Sequence, residues 1–427
     1  MTTESGALPP HYRRNFALLL TGSASFWVMM GFVSISTVVP VLVSKFTNSA
    51  FLIGSVGALF RLSWMLPQMA IARIVQDKPL KKPFLYPGII GRSLSLLLVP
   101  AALLLGVARY PGAMLVVIFL YLALFSGSDS IIAVPWSDIL ARAIPLERRG
   151  RLFGWSQAVG QLAGVGVGVA VGAILGSTRF PFPRDYALLF VLGFVSLLPS
   201  AISLPLLKEP PPEPAPVGED TIRPGGGAVQ MVMRDPSFRR LILCRMLVAF
   251  SGMASGFYVV HAADVGQLPE QVIGQFVMAQ TIGGLVGSLA FGRLSERRGP
   301  LWVIRAGSAV AAIGPIFALV ANAEIGSTWT YIIVFMALGT LDSVWMQGFS
   351  NYVIEIAPGP RRPVYVGTAN TILSLSTLAP IFGGWLLQTT SYTVLFGLTT
   401  VVLIAGFVVS LTMRSAYKTA RVSPEAP

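Results

Sequence analysis

Twelve mostly apolar stretches run through this chain, each long enough to cross a bilayer as a helix. They lie at 16–43, 51–72, 85–107, 112–139, 152–176 and 186–207, then at 239–262, 271–292, 301–322, 329–353, 364–388 and 392–413. Backbone groups in lipid must satisfy one another, so a spanning segment is a helix or part of a closed barrel. A barrel would show alternating segments of about ten residues, and runs such as Met114–Phe125 do not alternate. The first stretch is too long for a signal peptide and has no small-residue cleavage pattern, so it counts as a span. The expected fold is therefore all-α, with twelve transmembrane helices.

Charge supports this and orients the chain. Only 11% of the 427 residues are charged, against about 25% in a soluble protein. Both termini and the loops after even-numbered spans can be placed on one side. That side then holds 23 of the 31 Lys and Arg, and the opposite side holds 4: Lys45, Arg109, Arg179 and Arg184. By the positive-inside rule both termini are expected in the cytoplasm of a cell whose plasma (inner) membrane holds the protein. The net charge of +13 then faces anionic lipid, and no nucleic-acid partner is needed to explain it. One Cys and two His leave no internal disulfide, thiolate cluster or His-rich metal site, and no cofactor or metal is expected.

The chain is also written twice. At an offset of 213 residues, Pro145, Arg148 and Arg149 match Pro358, Arg361 and Arg362. At the same spacing Gly154 matches Gly367, Asp129-Ser130 matches Asp342-Ser343, and Arg92 matches Arg305. Nearer the start of each half the offset drifts to about 220, where Ile53-Gly54 matches Ile273-Gly274. The longest loop carries Pro210-Pro211-Pro212 and Gly225-Gly226-Gly227 and reads as a linker. Hence the expected division is 1–207, a linker at 208–237, and 238–427.

Between the eighth and ninth spans stands Gly292-Arg293-Leu294-Ser295-Glu296-Arg297-Arg298-Gly299. It follows the G-x-L-x-[D/E]-R-x-G loop of the major facilitator superfamily, which the whole chain resembles. The first-half copy, Ala72-Arg73-Ile74-Val75-Gln76-Asp77-Lys78, departs from the pattern: Ala replaces the first Gly and the acid is shifted. The resemblance implies a secondary transporter of two six-helix halves that rock about a central site. It also implies a cytoplasmic gate at this loop, with Gly292, Glu296, Arg297, Arg298, Gly299, Asp77 and Lys78 as its residues. Glu296 would face a helix N-terminus, and Arg297 or Arg298 would reach Glu355. Asp138 sits correspondingly near Lys78. The plainer reading is that these charges anchor loops at the headgroups.

Ionisable groups inside a membrane are costly and each needs an account. Arg92 and Asp129 lie ~12 and ~15 Å from the cytoplasmic boundary by helical rise, so they are within reach of each other. Arg305 and Asp342 repeat the relation. Duplication favours structural ion pairs, with Arg92 and Arg305 as the cations. A binding or coupling role for Asp129 and Asp342 stays open, because the resemblance places their spans against the cavity. They are the mid-span acids, so proton coupling is expected to run through one of them. Arg61 is not duplicated and lies near the midplane, where it would attract an anionic group or bridge to Asp129. Arg245 is also unduplicated, either snorkelling toward the cytoplasmic face or touching substrate. Trp136 and Trp345, near the two aspartates, are the aromatic substrate candidates. His261 ends the seventh span and reads as an interfacial side chain, or else as a pH-sensitive gate.

No phosphate-binding loop opens a helix, so ATP does not power transport within this chain. The fifth span lacks the Gly-Pro-x-x-Gly-Gly pattern of drug/proton antiporters in this family. Ala379-Pro380-Ile381-Phe382-Gly383-Gly384 on the eleventh is similar but lies in the other half. The expected activity is transport of a small-molecule substrate by alternating access, by a monomer in the lipid bilayer; the coupling ion stays open, with protons one candidate, and neither uptake nor efflux follows. A non-transporting sensor would need an output domain, and an enzyme a catalytic cluster at the interface, and the sequence shows neither.

Overall fold

A computed structural model describes residues 9–75, 78–210, 230, 233–323, 327–357 and 362–414. Most of the expected linker, and Asp77 of the degraded loop, lie outside the described residues. Among the described residues twelve helices are long and apolar enough to cross a membrane. Spans 1–6 are Tyr12–Phe32, Ala50–Val75, Lys82–Leu104, Pro111–Ala143, Arg151–Leu175 and Arg184–Ser203. Spans 7–12 are Pro236–Asp264, Val272–Arg298, Pro300–Ala321, Thr328–Ile356, Tyr365–Thr389 and Tyr392–Thr412. No strand occurs among the described residues, so the fold is the expected all-α one.

Breaks in spans 1, 7 and 11 fall near proline or glycine. The first stretch does not run unbroken to 43: its helix ends at Phe32, and a second short helix occupies Val38–Ser44. Pro40 has no N–H to give the Ser36 carbonyl, so it fits in the first turn of a new helix but not inside the old one. Span 7 consists of Pro236–Ala249, Gly252–Ser255 and Phe257–Asp264, with Gly252 and Gly256 at the joints. Span 10 carries a π-helical stretch, Val344–Ser350. Span 11 tightens to a 3₁₀ turn at Ser374–Leu378, just ahead of Pro380.

The chain divides into two compact units. The first comprises Met1–Thr47 and Leu59–Val217. Leu19, Leu85, Ile139, Leu140 and Leu204 are buried together in it. Gly88 lets spans 3 and 4 touch, since a Cβ there would stand 2.7 Å from the Ser128 carbonyl oxygen. Three residues of the expected linker are tied into this unit. Asn15 donates to the Lys208 carbonyl at 2.8 Å and accepts from its N–H at 3.0 Å. The Glu209 carboxylate accepts from the backbone N–H groups of Lys81 and Lys82 at 2.7 and 2.9 Å. Arg142 donates to the Pro210 carbonyl at 3.4 Å.

The second unit comprises Asn48–Ala58 and Gly218–Pro427. Its core gathers Phe238, Ile304, Val344, Phe349, Tyr352 and Leu403. Spans 8 and 10 approach through a reciprocal pair of glycines. A Cβ on Gly283 would stand 2.0 Å from the Met336 carbonyl oxygen, and one on Gly339 1.9 Å from that of Gln280. Asp235 caps span 7 by accepting from the Ser237 N–H at 2.8 Å, and Tyr365 donates to its other oxygen at 2.9 Å. Residues 48–58 rest on span 11, where Gln388 accepts from the Phe51 N–H at 3.3 Å.

Candidate functional site

The in-span charges are held in four different ways. In the first unit Arg92 of span 3 donates through Nη1 to Asp129 Oδ1 of span 4 at 2.8 Å. Its Nη2 donates to Ser200 Oγ of span 6 at 3.1 Å, and its guanidinium lies 5.6 Å from the Phe26 ring centre of span 1. The side chain of Arg92 is 4% exposed and that of Asp129 20%. One residue thus links four helices of this unit, with a fork-shaped donor matched to a carboxylate and a hydroxyl.

The corresponding arginine of the second unit uses its donors otherwise. Arg305 sends Nε to the Ser410 carbonyl at 3.3 Å and Nη2 to those of Leu411 and Met413 at 3.4 and 3.1 Å. Its guanidinium lies over Trp302 at 5.3 Å. The last carbonyls of a helix carry partial negative charge and no intrahelical partner, so a cation there is favourable. Asp342 is exposed on span 10. The sequence repeat is therefore kept in residue type, while the hydrogen bonds of Arg92 and Arg305 differ.

The unduplicated arginines differ again. Arg61 is exposed on span 2. Among the described residues it makes no ion pair. Arg245 of span 7 faces the π-helical stretch of span 10. Its guanidinium carbon stands 5.6 Å from the Trp345 ring centre and 5.9 Å from that of Phe349. The two rings are 5.3 Å apart at 31°. Phe349 escaped the sequence reading, although it lies one turn from Trp345, where a second ring on the same face is expected. Trp136 is half-buried and tilts against Phe153 at 6.3 Å.

The loop between spans 8 and 9 is largely helical, since span 8 runs on to Arg298. Gly299 then turns the chain at φ 89°, a conformation that suits glycine alone. Glu296 and Arg297 are exposed, and Arg298 lies over Trp302 at 5.2 Å. Gly292 sits beside Gln347, whose carbonyl accepts from Ser295 Oγ at 3.4 Å. In the first unit Lys78 is exposed. Asp138 pairs with Arg142 one turn along, and the same guanidinium reaches Glu209 at 3.2 Å. Glu209 escaped the sequence reading because its main partners are backbone amides.

His261 is fully buried among protein side chains, with Nδ1 2.8 Å from Tyr331 Oη. Tyr392 and Phe396 stand edge-on to its ring at 4.6 and 5.1 Å. Aromatic residues from spans 10 and 12 cover the end of span 7 and take the histidine inward. Among the described residues no three His, Cys, Asp or Glu side chains converge as a metal site would require.

Comparison with known proteins places this arrangement. Residues 241–427 match the Major Facilitator Superfamily profile. No curated protein matches the sequence significantly. A bacterial homologue of the iron transporter ferroportin, in an inward-facing state, is similar with a TM-score of 0.70 at 18% identity, over 94% of this chain and 98% of that one. A bacterial homologue of the human lysosomal transporter Spinster gives 0.65 at 15% identity, over 97% and 99%. A POT family transporter in complex with 5-aminolevulinic acid gives 0.66 at 12% identity, over 95% and 97%.

Proposed function

We propose that the chain is a membrane transporter of the major facilitator type and that it moves a small organic solute by proton-coupled secondary transport with alternating access. The observation that carries the coupling is a pair of aspartates inside spans at matched positions of the repeat, Asp129 on span 4 and Asp342 on span 10. Acids inside a membrane are rare and mark ion or substrate paths, so coupling runs through one of these two. The Lys and Arg distribution supports cytoplasmic termini in a plasma membrane.

One similar structure is a bacterial metal transporter and another a bacterial homologue of the iron transporter ferroportin. One similar structure binds 5-aminolevulinic acid, a small organic molecule, and that chemistry suits the arginines and aromatic rings of this chain better.

The test is flux into proteoliposomes without ATP, under an imposed pH gradient and with none. Wild type should show saturable, gradient-driven flux. Asp129→Asn or Asp342→Asn should lose the gradient-driven part and keep solute exchange. Gradient-driven flux persisting in both variants removes the two aspartates from coupling, and conductance that never saturates points to a channel.

A further inference from the structure

Arg245 is a cation without an acid. Its Nε is sealed from solvent and has no hydrogen-bond partner. No carboxylate among the described residues pairs with it. The residue as a whole is partly exposed. Sealing part of a guanidinium inside a membrane protein is unfavourable, and stacking on rings recovers only part of that cost. The π-helical stretch Val344–Ser350 that supplies both rings is itself a rare geometry, found mostly at functional sites.

Arg92 shows what completes such an arrangement. It too lies over an aromatic ring, Phe26, at 5.6 Å. Its Nε is buried without a partner as well, but there the two terminal nitrogens donate within the unit to Asp129 and Ser200. Arg245 has two rings beside its guanidinium and no acid paired with it among the described residues. The two rings stand within 6 Å of the guanidinium, and among the described residues no hydrogen bond fills its terminal N–H groups. Carboxylate and phosphate groups meet such a fork with two parallel hydrogen bonds.

We infer that Arg245, floored by Trp345 and Phe349, is an anion-binding site that holds the carboxylate or phosphate group of the transported solute. This rests on the transport reading above and adds the substrate class to it. The aromatic floor also favours a solute with an apolar or flat portion beside the acidic group. A lipid headgroup phosphate carries the same chemistry, so the test separates the two sources.

The experiment uses the purified full chain in neutral detergent, with succinate and inorganic phosphate as probes and choline as the cationic control. Binding is read by calorimetry and by thermal stabilisation, for wild type, Arg245→Gln and Arg245→Lys. At least one anionic probe should bind wild type saturably and choline should not. Arg245→Gln should weaken that binding by about 10- to 100-fold. Arg245→Lys, with charge but no fork, should fall between. Equal affinity in wild type and Arg245→Gln overturns the site, as does wild type binding neither anion. If Arg245→Gln does not fold, Phe349→Leu and Arg245→Lys carry the comparison.

Repeating the measurement in nanodiscs of phosphatidylcholine, with and without phosphatidylglycerol, addresses the lipid source. Competition of phosphatidylglycerol with succinate at Arg245 supports the site, whereas binding seen with the lipid alone overturns the solute assignment. Flux separates this inference from the transport reading. Saturable flux of a neutral or cationic solute that Arg245→Gln retains sinks the anion site and leaves transport standing. Arg245-dependent anion binding without any gradient-driven flux sinks transport and leaves the site.

Discussion

Arg92 Nη1 stands 2.8 Å from Asp129 Oδ1, and the same guanidinium donates to Ser200 at 3.1 Å, so one side chain joins spans 3, 4 and 6. Removing one member of a buried pair strands the other, at about 3–5 kcal/mol. Both Arg92→Gln and Asp129→Asn should therefore lower the melting temperature of the detergent-solubilised protein. The double variant should cost less than the sum of the two, with a coupling energy of about 0.5–3 kcal/mol. Additive losses in that cycle would mean that the pair contributes no coupling and that each residue acts through other neighbours.

Helix contact in the second unit depends on glycine where no side chain fits. A Cβ on Gly283 would stand 2.0 Å from the Met336 carbonyl oxygen, and one on Gly339 1.9 Å from that of Gln280. Backbone cannot move aside as a flexible side chain does, so Gly283→Ala or Gly339→Ala must push spans 8 and 10 apart. A loss of about 1–3 kcal/mol is expected from such overpacking. Gly154 and Gly367, the pair matched across the repeat, meet nothing within 4 Å. Both lie inside helices. Alanine there should be neutral or stabilise by about 0.5–1 kcal/mol. Thermal melts of the four variants check the contrast, and equal effects at all four positions would refute it.

The spans were legible because lipid forces helices and the apolar lengths are close to those of real helices. Their ends were less so. Val272–Arg298 continues past the apolar stretch that stops at 292, since Glu296, Arg297 and Arg298 are good helix formers. The break after Phe32 was hidden by apolar Val33 and Ile35, and its signal was Pro40. Depth arithmetic put Arg92 within reach of Asp129 because helical rise is constant. The fate of Arg305 could not be read, because its acceptors are main-chain carbonyls of 410–413, which carry no residue signature. Arg245 was visible as an unduplicated charge, but its aromatic floor depends on a π-helical stretch that composition does not announce.

The buried His261 is fixed by Tyr331 at 2.8 Å and walled by Tyr392 and Phe396. Tyr331→Phe keeps the ring and deletes the hydroxyl. The expected loss is about 1–3 kcal/mol, the cost of removing one partner from a buried hydrogen bond. His261→Phe keeps an aromatic ring and should cost less in Tyr331→Phe than in wild type, because the two residues share one bond. Melting temperatures of the two single variants and the double variant decide this. Strict additivity would show that the 2.8 Å contact is incidental to aromatic packing.

Glu209 makes the start of the linker a structural part of the first unit. Its carboxylate accepts from the N–H groups of Lys81 and Lys82 at 2.7 and 2.9 Å. These amides lie at the entry to span 3, where helical N–H groups have no internal partner and partial positive charge gathers. Arg142, at the end of span 4, completes the arrangement at 3.2 Å while also holding Asp138. The Glu209 side chain is 4% exposed, so water cannot easily replace it. Glu209→Ala should therefore cost about 2–3 kcal/mol, more than a surface ion pair, whose loss costs about 0–1 kcal/mol. Asp138→Ala, on the exposed side of the same arginine, should cost less than Glu209→Ala. Amide hydrogen exchange at 81–86 should rise in Glu209→Ala and stay unchanged in Asp138→Ala. Equal exchange in the two variants would mean that the carboxylate serves Arg142 alone and that the amides find other partners.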